Sequence, residues 1–166
     1  MSDATTREPG VGDFDFLVGT WDVTNRRLVA PLTGIAEWDE FPATVVCHGT
    51  LFGGAANLDE ISFPTKGFTG LTLRLYDPGR EEWSLNWVSS RTGLLRPPVV
   101  GRFDARGRGE FHGDDAHEGT PVRCRFIWSH VTSATAHWEQ AFSTDGGRSW
   151  ETNWTMDFRR TGKTSA

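Results

Sequence analysis

Two groups of residues in this chain have types and spacings that could do chemistry. The first is aromatic. Trp83, Leu85 and Trp87 alternate along one short run, Cys124, Phe126 and Trp128 along a second, and Trp154, Met156 and Phe158 along a third; Trp138 and Phe142 add to the group. Residues two apart on a strand share a face, so these side chains converge if the runs are strands of one sheet. By the same alternation Gln140 joins Trp138, and Thr152 joins Trp154. A polar group among inward rings must find a partner or face a wet or ligand-filled space. Such a surface suits a small, flat, mostly apolar molecule, held against indole rings and oriented by two polar groups. The expected ligand-binding set is therefore Trp83, Leu85, Trp87, Phe126, Trp128, Trp138, Gln140, Thr152, Trp154 and Met156. The same residues would equally serve as plain core packing.

The second group is charged. Trp38-Asp39-Glu40 and the pair Asp59-Glu60 could supply a general acid and base. Neighbours on a strand point to opposite faces, so only one of each pair can enter a barrel. Alternation from Ile35 puts Glu37 and Asp39 on its face. Solvated charges are the expectation at both places. Asp114-Asp115-Ala116-His117-Glu118 sits between glycines and reads as a flexible rim loop rather than a metal site. Ser143-Thr144-Asp145-Gly146-Gly147-Arg148-Ser149-Trp150 matches the Asp-box of sialidase-like propellers, which carry several copies. A single copy reads as a hairpin turn in which Asp145 bonds backbone amides. The five His residues show neither zinc spacing nor His-Glu-x-x-His, and no phosphate-binding Gly-rich loop precedes a helix. The sequence thus points to no metal and no cofactor, and assigns no catalytic residue.

These side chains need elements to hold them. The chain has 166 residues, 17 Lys plus Arg against 22 Asp plus Glu, and a net charge of −5. One domain is expected, and a mildly acidic one is a poor nucleic-acid or membrane-surface binder. With 8 Trp and 11 Phe it is too aromatic for disorder. No apolar run is long enough for a membrane helix. Met1 to Val11 lacks the apolar stretch of a secretory signal and reads as a disordered lead, with 161–166 as a short tail. Cys47 and Cys124 lie far apart in apolar surroundings, as buried free thiols of a cytoplasmic protein would.

Period-2 alternation broken by Gly, Pro and Asp recurs along the chain, and no window is convincingly helical. The turns divide it into strands near 20–30, 34–41, 43–51, 55–63, 68–76, 82–89, 98–103, 109–113, 121–129, 134–142 and 148–160. Pro42 leaves open whether 34–51 is one bent strand. Short connections imply an antiparallel meander, and closure would remove exposed edges. The expected fold is all-β: one up-and-down barrel of about ten strands over 12–160. A helical turn at Gly12 to Leu17 would precede it, with Asp13 able to cap it.

Phe16-Leu17-Val18-Gly19-Thr20-Trp21, a short turn followed by Gly-x-Trp on the first strand, resembles the calycin superfamily of lipocalins and fatty-acid-binding proteins. With Leu73-Arg74-Leu75-Tyr76-Asp77-Pro78, and with Trp138 to Ser143 followed by Trp150 to Trp154, it looks closest to uncharacterised bacterial lipocalin-like barrels. The resemblance implies a barrel with an internal cavity but no settled activity. It also implies a cationic side chain from the last strand over Trp21. Parity with Trp154 and Phe158 selects Arg160 and turns Arg159 outward. Some related barrels bind haem through a late-strand His. The one here, His137, shares the polar face of Glu139, which argues against axial ligation.

Three uses of such a barrel follow. The first is binding of a small hydrophobic molecule. The second is a cyclase- or isomerase-type reaction on a hydrophobic metabolite in the same cavity. The third is a filled barrel acting through its surface. Haem binding stands as a further alternative to the first. Neither nucleic acid nor membrane is an expected partner, and the sequence sets no oligomeric state.

Overall fold

The structure is a computed structural model that describes residues 10–162, the side chain of Thr50 excepted. The chain forms ten antiparallel strands closed into one barrel: β1 (Gly19–Leu28), β2 (Trp38–Leu51), β3 (Ala56–Phe63), β4 (Phe68–Asp77), β5 (Glu82–Ser89), β6 (Val99–Phe103), β7 (Gly109–His117), β8 (Thr120–Ser129), β9 (Thr135–Ser143) and β10 (Glu151–Gly162). Each strand pairs with its neighbours in sequence, and β1 closes the ring on β10. The only helical elements among the described residues are two 3-10 turns, Asp15–Leu17 and Phe52–Gly54. None of these is long and apolar enough to cross a membrane.

One open point is settled and two local expectations change. The segments 34–41 and 43–51 are one strand from Trp38, because Pro42 is accommodated in the ladder opposite Thr24. Asp114 to His117 are strand, not rim loop, paired with Arg123 to Thr120. Glu118 and Gly119, at φ 49° and 81°, form the tight two-residue connection that lets β7 run this far. Asp13 does not cap the first turn; Phe14 holds the N-cap position, with no side-chain cap bond. Met1 to Pro9 of the expected lead, and the tail beyond Gly162, lie outside the described residues. Val11 packs on the core, Gly10 accepts a bond from Trp83 Nε1 at 3.2 Å, and Thr161 and Gly162 belong to β10.

One end of the barrel is filled by rings. Phe14 sits edge-on to Trp83 and to Phe103, each at 5.0 Å between ring centres, and Trp128 meets Phe158 at 5.2 Å. Arg160 closes this end, as parity requires. Its guanidinium carbon lies 4.2 Å from the Trp21 ring centre, and it donates to Val18 O, Phe16 O and Ser133 O. Arg159 points outward to Asp22 at 3.3 Å. At the other end Phe63 stacks on Phe68 at 4.6 Å and lies 6.1 Å from Trp154.

Two features set what faces the interior. First, the register slips between Thr152 and Trp154: Thr152 pairs with Ala141 and Trp154 with Gln140, leaving Asn153 as an extra, buried residue. A bulge of this kind breaks the two-residue alternation. Second, β4 is inverted relative to its hydrophobic pattern. Gly70, Arg74 and Tyr76 are buried, while Leu71 on the opposite face is exposed. The strand turns its polar residues inward because its inner neighbours on β3, Asn57 and Asp59, are themselves polar and buried.

Candidate functional site

Between the two aromatic ends lies a partly open cavity of about 80 Å³. Eight of the ten expected residues line it: Leu85, Trp87, Phe126, Trp128, Trp138, Gln140, Trp154 and Met156. Trp83 does not. It is buried one layer deeper, against Phe14 and Tyr76, with its Nε1 turned to Gly10 O. Thr152 does not either, because the bulge at Asn153 takes it out of step with Trp154. Asn153 takes over the polar role beside Gln140, accepting from its Nε2 at 2.9 Å.

The wall is held from several sides. Trp154 donates Nε1 to Asn25 Oδ1 at 3.0 Å, meets Trp138 edge-on at 5.6 Å, and carries the Arg27 guanidinium 4.3 Å above its ring. Desolvation by burial, and then the nearby Arg91 charge, lower the pKa of Arg27 from its ordinary value. Trp87 lies opposite Thr72 on β4 and leans over Gly70. A Cβ at Gly70 would stand 1.9 Å from Trp87 Cη2, so only glycine lets the ring lie there.

Sequence reasoning missed the charged part of the lining, Asp59 with Arg74. Asp59 was expected to be solvated, yet it is 5% exposed and enters the barrel, while Glu60 points out. Its Oδ2 is 2.6 Å from Arg74 Nη2. Arg74 Nη1 donates to Asn57 Oδ1 at 2.8 Å. The Asn57 amide in turn donates to Phe14 O, and Cys47 Sγ donates to Asn57 Oδ1 at 3.4 Å. The alternation of Leu71, Leu73 and Leu75 hid Arg74, since it suggests that the leucines face inward. The signal that could have found it is the facing polar pattern Asn57-x-Asp59 on the preceding strand.

The remaining candidates fall elsewhere. Asp39 pairs with Lys66 at the open rim, and Glu37 and Glu40 are exposed. Asp114 pairs with Arg123 on the outer face, and Asp115, in step with the buried Phe111, pairs with Arg96 near the end of β7. No group of three or more His, Cys, Asp or Glu among the described residues is placed to hold a metal. His137 sits on the outer face between Asp157 at 2.8 Å and Glu139 at 3.2 Å, away from the cavity. The Asp-box is a turn: Asp145 accepts from Ser143 and Ser149 hydroxyls and from the Arg148 and Ser149 amides. Burial, first among their causes, pushes both Cys47 and Cys124 thiols up to about 12, which keeps them protonated and unreactive. A larger groove beside Asp104 to Arg108 crosses the filled end, but it is open and bordered by exposed charged residues.

No protein-family model matches the chain, and a comparison with curated proteins likewise finds no match. Among solved structures, the S-type phycobiliprotein lyase CPES from Guillardia theta has a similar fold. The TM-score is 0.54 and the identity 12%, over 92% of each chain. At that identity the likeness extends to the scaffold. The shared feature is the closed antiparallel β-barrel.

Proposed function

We propose that the barrel binds a small, flat, mostly apolar molecule in its central cavity, against Trp87, Phe126, Trp138 and Trp154, with Gln140 at its edge. The observation that carries this reading is an aromatic cavity inside the barrel with a buried ion pair in its wall. A filled core needs no such pair. Desolvating two charges is expensive, and well-packed apolar residues of similar volume usually do as well or better. At about 80 Å³ the cavity is smaller than the ~150 Å³ engineered cavity that takes up benzene. An occupant is therefore at most of one-ring size, and a ring enters only if the wall side chains rotate to enlarge the cavity.

Two placements accompany this reading. The finer family is the bacterial lipocalin-like group, supported by Gly19-Thr20-Trp21 under Arg160. The compartment is the cytoplasm, supported by two free buried thiols. The solved neighbour is a phycobiliprotein lyase, and its reaction is not carried over to this chain.

Titration with a small apolar aromatic dye tests the proposal. Intrinsic Trp emission should be quenched, saturating at one site per chain. Absence of saturable quenching across aromatic and fatty ligands would return the barrel to the filled reading. The second reading, a cyclase- or isomerase-type enzyme, draws on the same Asp59–Arg74 pair as charged groups facing a bound metabolite. It would win if Gln140→Leu abolished turnover of a metabolite without lowering the melting temperature.

A further inference from the structure

Two residues of the cavity wall, Arg74 and Trp128, each carry an N–H donor with no acceptor among the described residues. Arg74 is 4% exposed and Trp128 3%. Two guanidinium nitrogens of Arg74 are committed, to Asp59 and to Asn57. Its Nε is buried and has no hydrogen-bond partner among the described residues, and neither has Trp128 Nε1. The two side chains are neighbours, with the guanidinium carbon 5.7 Å from the Trp128 ring centre, and both line the cavity. Buried donors are almost always satisfied, and one left alone is costly. The local charge, by contrast, is already balanced, because Asp59 matches Arg74.

Resting on the binding reading above, we infer that the ligand presents a neutral carbonyl-type oxygen to Arg74 and Trp128. A carbonyl oxygen has two lone pairs and can take both donors. A carboxylate would bring a negative charge against a lining whose own cation, Arg74, is already paired, the other nearby guanidinium, Arg27, lying over Trp154. A pure hydrocarbon would leave both donors unsatisfied. The expected class is thus an aryl ketone, aldehyde or lactam of one-ring size.

Calorimetry with three probes of matched size separates these possibilities: acetophenone, ethylbenzene and benzoate. Acetophenone should bind about tenfold more tightly than either of the others, as expected for one satisfied buried hydrogen bond. Trp128→Phe keeps an aromatic ring and removes the indole N–H along with part of the ring system. It should weaken acetophenone about tenfold more than it weakens ethylbenzene, whose own change reports the altered shape of the cavity. Asp59→Asn removes the charge balance and should shift the preference toward benzoate. Benzoate binding most tightly to the unaltered protein, or acetophenone equal to ethylbenzene, would overturn the inference while leaving the binding reading in place. Silence from all three probes while a dye still saturates one site would overturn it as well. Silence from dye and probes together would remove the binding reading itself.

Discussion

The Arg160 guanidinium covers the Trp21 indole at 4.2 Å, and its three nitrogens each reach a backbone carbonyl, on Phe16, Val18 and Ser133. The Trp21 Nε1 bonds Leu17 O at 2.8 Å from the same turn. One side chain thereby ties β10 to the entry turn and to the β8–β9 connection. Lysine, with one compact charge, could not satisfy three separated carbonyls in this way.

Arg160→Ala should therefore destabilise the fold by roughly 1–3 kcal/mol, from the lost cation–π contact, the lost stem packing and the freed carbonyls. Arg159→Ala should be nearly neutral, since its pairing with Asp22 is exposed. Urea unfolding decides the matter: the midpoint should fall for the first variant at unchanged slope and stay put for the second. Equal effects of the two would mean that the seal contributes nothing of its own.

Gly70→Ala places a methyl group where the Trp87 ring now lies. The ring must swing or the strands must part, at a cost of about 1–3 kcal/mol. Because Trp87 lines the cavity, ligand quenching should change along with the melting temperature. A variant with unaltered melting and unaltered binding would show that the ring is free to move.

The Asp145 carboxyl is held down to about 2 by donation from Ser149, first through its hydroxyl and then its amide, and from Ser143 and Arg148. Its depressed value means that the turn's contribution is complete above the ordinary carboxylate range near 4 and is lost as the pH falls through about 2. Nuclear magnetic resonance of the Ser149 amide against pH should show a midpoint near 2. A midpoint near 4 would mean that the hydrogen bonds are not kept in solution. Asp145→Asn should abolish the transition.

Much of the barrel was legible because period-2 alternation and glycine punctuation are local. Trp83-Ser84-Leu85-Asn86-Trp87 names its strand and its inner face without help from the rest of the chain. Arg160 over Trp21 was legible from parity alone, because the bulge lies upstream, between Thr152 and Trp154. Thr152 was misplaced because a single extra residue leaves no mark in composition. Arg74 was missed because hydrophobicity on β4 points the wrong way. Its inward turn is decided by Asn57 and Asp59 on another strand, which is tertiary information. Trp83 was placed in the cavity because alternation gives the face but not the depth along the barrel.

Ring closure makes the cavity a property of the finished chain. Val18 and Arg160 meet across 142 residues, and no nearer segment can substitute for β10. The entropy of closing so long a loop grows only slowly with length, so equilibrium stability suffers little. The order of events during synthesis is a different matter. Until β10 has emerged, β1 and β9 stand as bare edges, able to pair with other chains, and the Trp138 side of the cavity is open to water. A nascent chain thus passes through a sticky interval. The rate at which the tenth strand zips home sets the competition between a folded barrel and an aggregate.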